Sequence, residues 1–125
     1  MSDQSNKIEK MSELGPMAAL DQLFAAAEDL LCVLNGYGMF VKVSPSWARE
    51  LGWSDEEMLS RPWDSFVHPD DVQASHDAYS EAKQGSKILN FQNRYICKDN
   101  SYKTLIWQLP QFQGSQAFSA AKVKK

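Results

Sequence analysis

After Gly15-Pro16, apolar residues recur at helical spacing: Met17, Leu20, Phe24 and Ala27 mark one face of an amphipathic helix, and the abundant Ala favours it further. From Asp29 the pattern becomes a short continuous run, Leu30-Leu31-Cys32-Val33-Leu34, which suits a central strand covered on both sides. Asn35-Gly36 reads as a hairpin turn with Gly38 assisting, and Met39 to Val43 as the returning strand.

Three short helices are predicted next. Ser44-Pro45 opens the first through a hydroxyl cap and a proline at the first helical position, and Gly52 closes it as a left-handed terminator. Trp47 and Leu51, four apart, share its buried face. Ser54 and Glu57 form an S-x-x-E capping box that starts the second helix at Asp55, with Trp53 and Met58 placed as a hydrophobic staple. Pro62 stops it. The third starts at His68-Pro69-Asp70-Asp71, where two carboxylates face the positive end of the helix dipole, and runs to about Gln84 before Gly85. Val72, His76, Tyr79 and Lys83 form one stripe along it with Ser75 and Ala82 beside, a stripe that allows His76 to point inward.

Lys87 to Lys98 reads as a long strand with Leu89, Phe91, Asn93, Tyr95 and Cys97 on one face and Asn90, Gln92 and Arg94 on the other. Asp99-Asn100 is a hairpin turn in which Asn accepts a positive φ. Tyr102 to Leu109 returns as a fourth strand with Leu105, Trp107 and Leu109 on one side and Tyr102, Thr104 and Ile106 on the other. Pro110 to Ser115 is expected as a loop, and Gln116 to Val123 as a fifth strand with Phe118 and Ala120 on one face. Strands at both ends of a helical middle imply an α+β fold: a five-stranded antiparallel sheet with its helices packed on one face and an N-terminal flanking helix. The crossover then brings the fifth strand back beside the first.

At 125 residues the chain is expected to form one domain. Residues 1–16 read as a loose polar segment and 17–125 as the domain, with a leading helix over 17–28 and a core over 29–123. A net charge of −3 argues against a nucleic-acid footprint, and the lysines at 122, 124 and 125 read as solvated. Cys32 and Cys97 lack metal spacing, so they read as buried thiols of a reducing, cytoplasmic compartment. No run approaches the eighteen apolar residues of a membrane-spanning helix.

Chemistry has few candidates. His68, Asp70 and Asp71 are explained by helix capping. No Ser-His-Asp arrangement, phosphate loop or paired metal motif appears, so an enzyme is not expected. Asn93 stands out because it interrupts an apolar face, where an unpaired amide costs about 1 to 3 kcal/mol. Its partner must be a ligand group, a buried water, Tyr79 or the helical cap.

Several stretches in order resemble a PAS domain from about Leu23 through Val123. They are Asp29-Leu30-Leu31-Cys32-Val33-Leu34 with its glycine turn, Ser44-Pro45-Ser46-Trp47 and Leu51-Gly52-Trp53-Ser54-Asp55-Glu56-Glu57-Met58-Leu59. Phe66-Val67-His68-Pro69-Asp70-Asp71, Phe91-Gln92-Asn93-Arg94-Tyr95 and Cys97-Lys98-Asp99 complete the set. The resemblance implies a sensory module, commonly the input part of bacterial two-component histidine kinases or of diguanylate cyclases. It also implies a pocket between sheet and helices, for which the faces above offer Cys32, Trp47, Leu51, His76, Tyr79, Phe91, Asn93, Tyr95 and Trp107. Homodimers through the leading helix are implied too, with Met17, Leu20, Phe24 and Ile106 as candidate contacts. A kinase or cyclase output domain, C-terminal or separate, would be the partner. Haem ligation by His76 is an alternative, weighed against the fact that a lone histidine is a weak metal signal. The Asn-Cys-Arg-Phe motif of flavin-binding relatives has no counterpart. A third alternative is a dimerisation module that takes no ligand.

Overall fold

The structure is a computed structural model that describes residues 15–87 and 89–125. The segment expected to be loose therefore lies, up to Leu14, outside the described residues, as does the side chain of Met17. The chain runs α1 (Gly15–Ala26), β1 (Leu30–Leu34), β2 (Phe40–Val43), α2 (Ser46–Leu51) and α3 (Asp55–Leu59). Two 3₁₀ turns (Trp63–Phe66 and Pro69–Asp71) lead into α4 (Val72–Lys83), then β3 (Leu89–Ile96), β4 (Tyr102–Gln113) and β5 (Gln116–Val123). The strands form one antiparallel sheet in the order β2-β1-β5-β4-β3, so the fifth strand does return beside the first.

Local chemistry accounts for most of the helical middle. The capping box is formed in full: the Glu57 amide donates to Ser54 Oγ at 3.2 Å and the Ser54 amide to Glu57 Oε1 at 3.0 Å. That same bond to the Ser54 backbone, with Lys98 beside it, holds the Glu57 carboxyl down at about 2. Gly52 ends α2 at φ 90°, and a Cβ there would sit 3.3 Å from Lys98 Cβ, so the turn needs glycine for both reasons. Pro69 and the His68 ring, whose Nδ1 accepts from the Asp70 amide at 3.0 Å, start the turn that flows into α4.

Three expectations need correction. Ser44 does not cap α2: its hydroxyl accepts from the Leu31 amide at 2.9 Å and bonds Ser46, tying the helix start to β1. β4 does not stop at Leu109 but continues to Gln113, because a register shift between Gln108 and Gln111 makes a bulge that accommodates Pro110. At the start of β3, Asn90 has φ 61° and pairing is irregular between Leu89 and Phe91. Inward alternation consequently begins at Phe91, and Leu89 is exposed.

The inner face of the sheet and the helical middle close on a core that includes Trp47, Phe66, Met58 and Leu105, all fully buried. The middle segment caps part of each sheet edge, at the C-terminal half of β3 and just before β2. On β3, the His68 amide and the Trp53 indole donate to the carbonyls of Arg94 and Ile96, each at 2.8 Å. Beside β2, the Trp63 amide donates to Gly38 O at 2.9 Å. On the outer face, Phe24 of α1 is buried, with the Lys42 ammonium 5.2 Å from its ring centre and Asp21 paired to that lysine.

Candidate functional site

A cavity of about 40 Å³ lies where α4 crosses the inner face of the sheet. Because side chains alternate along a strand, Phe91, Asn93 and Tyr95 of β3 all reach it, joined by Trp107 of β4 and by Cys32 and Leu34 of β1. Ser75 and Tyr79, one helical turn apart on α4, form the opposite wall with Trp63.

A chain of hydrogen bonds crosses this wall. The Trp107 indole donates to Asn93 Oδ1 at 2.7 Å, and Asn93 Nδ2 donates to Ser75 Oγ at 3.0 Å. Ser75 Oγ donates in turn to the Asp71 carbonyl at 2.7 Å. An indole N–H only donates, so the amide orientation is dictated by its partner. The Asp71 carboxylate then grips Arg94 three ways: Oδ2 accepts from the backbone N–H at 2.8 Å and from Nε at 2.9 Å, and Oδ1 accepts from Nη2 at 2.8 Å. The long helix and its leading turn are thus latched to the sheet twice, through the buried Asn93 amide and through the Asp71–Arg94 pair. The partner of the amide proves to be Ser75 with Trp107, rather than Tyr79.

The wall is electrically neutral. Burial pushes the Cys32 thiol up to about 12, and burial raises Tyr95 strongly and Tyr79 less so. Among the described residues no cluster of His, Cys, Asp or Glu is arranged to hold a metal ion, and no helix is long and apolar enough to cross a membrane.

The sequence matches the family model for the PAS fold over residues 40–114, more than half of the chain. The chain belongs to the PAS-fold family. No curated protein matches it. Among solved structures, it is similar to a PAS domain from Colwellia psychrerythraea at 15% identity and a TM-score of 0.75, over 86% of this chain and 96% of that one. It is also similar to a domain of a sensory box sensor histidine kinase/response regulator from Geobacter sulfurreducens, at 18% identity and a TM-score of 0.69, over 83% of this chain and 90% of that one. A third is the PAS-B domain of Drosophila melanogaster Cycle, solved with bound ethylene glycol: 22% identity, TM-score 0.64, 76% of this chain and 97% of that one. Identities this low speak for a shared fold.

Of the nine pocket residues expected in this PAS domain, Cys32, Tyr79, Phe91, Asn93, Tyr95 and Trp107 line the cavity. Trp47 and Leu51 do not. Trp47 is wholly buried among Phe40, Tyr95 and Trp107, with its indole on Leu31 O at 2.9 Å, and Leu51 joins the same core. His76 lies outside: it is exposed, its ring tilts against Trp63, and its Nε2 meets Asp64 Oδ2 at 3.0 Å. The inner side of α4 is Ser75, Ala78 and Ala82, small residues that let the helix approach the sheet and leave His76 on the flank. Leu34, Phe40, Trp63, Ser75 and Ser119 line the cavity without having been named as pocket residues; Ser75 was signalled only by its place beside the stripe along α4.

These residues do not fit haem. The cavity, about 40 Å³, is far smaller than the roughly 150 Å³ that takes a single benzene ring, and the histidine that would ligate iron is outside it and engaged with Asp64.

The Asp71–Arg94 pair predicts an acid dependence. Hydrogen bonding from the Arg94 side chain holds the Asp71 carboxyl below its ordinary value, so its stabilisation is present above the unfolded value near 3.8 and is lost as pH falls through the lower folded one. Urea unfolding from pH 5 downward should therefore show a drop in stability below pH about 4 that Asp71→Asn flattens. An unchanged slope in the variant would remove the pair from the account.

Proposed function

We propose that this PAS domain is the sensory input of a signalling protein, and that its input is a small ligand seated between α4 and the sheet. What supports this best is the wall itself: the only group bridging helix and sheet across the cavity is the Asn93 amide, bonded to Ser75 on one side and Trp107 on the other, among the described residues. A guest that competes for those bonds acts directly on how α4 sits against β3 and β4. The output is a changed packing, passed to a kinase or cyclase domain, rather than a reaction of the domain's own. A cytoplasmic setting accords with two free, buried thiols.

Mass spectrometry under native conditions and an absorption spectrum of the protein as purified test this reading together. A small bound mass without a haem band is expected, or a melting temperature that climbs with the logarithm of added ligand concentration. Neither effect with any small molecule would overturn it.

A dimeric reading is favoured by α1, where Leu23 is 55% exposed beside a Phe24 that is spent on its own sheet. Of the other candidate contacts, Leu20 and Ile106 are half-buried. Sedimentation should then show mass that rises with concentration and returns to the monomer value in Leu23→Asp; a concentration-independent monomer would refute it.

A further inference from the structure

We infer that the guest of the α4–sheet cavity is an uncharged molecule of no more than about three non-hydrogen atoms, and this rests on the reading of the cavity as a ligand site. Size comes first. A cavity of about 150 Å³ takes benzene, whereas this one measures about 40 Å³. Rigid rings, nucleobases and cofactors are excluded unless an aromatic wall moves.

Charge is the second filter. Among the described residues no Asp, Glu, Lys, Arg or His lines the cavity. The nearest carboxylate along the hydrogen-bonded chain, Asp71, is already saturated by Arg94, and the Asp64–His76 pair is turned outward. An ion entering would surrender its water to a wall without a counter-charge. The ionisable groups that do line it, Cys32, Tyr79 and Tyr95, are all held in their neutral forms by burial.

Polarity is the third. Ser75, Asn93 and Trp107 bond one another, yet an amide has a second N–H and its oxygen a second lone pair, so the wall can answer a guest that both donates and accepts. So few atoms cap the affinity, placing dissociation constants in the millimolar range. The domain would therefore report an abundant small solute and not a trace metabolite.

Formamide and formate have the same size and differ in charge, which makes them the probes, with benzamide as the oversized analogue. The readout is the indole N–H resonance of Trp107 in the isotope-labelled full chain, since that proton points to Asn93 at the cavity wall. Formamide should move it saturably at millimolar concentration, formate at matched ionic strength should not, and benzamide should act only on Phe91→Ala, where removal of a wall ring makes room. Formate or benzamide acting on the unmodified chain would overturn the stated ligand class while leaving the site. No response from any probe in either protein would overturn the class and the ligand site together.

Discussion

Trp47→Ala should destabilise the domain by about 3–5 kcal/mol, the usual cost of truncating a fully buried tryptophan. The side chain has no solvent exposure, and the rings of Phe40, Tyr95 and Trp107 stand around it at centroid distances of 5.8, 5.7 and 6.1 Å. Its indole N–H on Leu31 O is a smaller part of the loss, because that carbonyl also accepts from the Ser44 amide at 3.0 Å and is not orphaned by the change. The void dominates. Trp47→Phe, which refills much of the space, should recover more than half of the loss. Urea unfolding followed by far-ultraviolet circular dichroism measures both, and a cost under about 1 kcal/mol for Trp47→Ala would contradict its place at the centre of the core.

This position also shows what a sequence reveals. Trp47 and Leu51, four residues apart before a terminating glycine, announce a buried helical face, and both are buried. Periodicity does not say what the face meets, so the same two residues were equally good candidates for a cavity wall. The capping box is legible for a different reason: both of its bonds lie within four consecutive residues, and nothing distant is needed to make them. Topology followed from element order, since a five-stranded sheet with a helical interruption has few ways to close.

The misreadings share a cause. Pro110 reads as the end of a strand because proline lacks a donor, but β5 supplies a pairing partner on both sides of a bulge and carries β4 past it. His76 sits in an acceptable stripe only if the large residues of α4 mark its buried side. In fact the small ones do, since Ser75, Ala78 and Ala82 permit the close approach that a sheet-packed helix needs. A stripe of Ser and Ala carries almost no hydrophobic signal. The cavity was legible in part, through Asn93: a polar residue in an apolar row demands a partner, although which partner is decided by segments far apart in the chain.

Asn93→Leu is the substitution that separates this latch from ordinary packing. Leucine nearly matches the volume, so no large void opens, but the buried Trp107 indole N–H loses its acceptor at 2.7 Å. The expected cost is about 1–3 kcal/mol, that of one orphaned buried donor. Ser75 keeps its own bond to the Asp71 carbonyl and should contribute little to the loss. Adding Trp107→Phe removes the orphaned donor, so the double variant should be less destabilised than the two singles summed, with a coupling of about 0.5–3 kcal/mol. Hydrogen exchange supplies the structural half: in Asn93→Leu the α4 amides around Ser75 should exchange faster than those of β1, because that turn loses its own bond to the sheet and is left with the Asp71–Arg94 pair at the helix start. Strict additivity in the cycle, or uniform loss of protection across both elements, would show that the amide merely fills space and does not hold the helix.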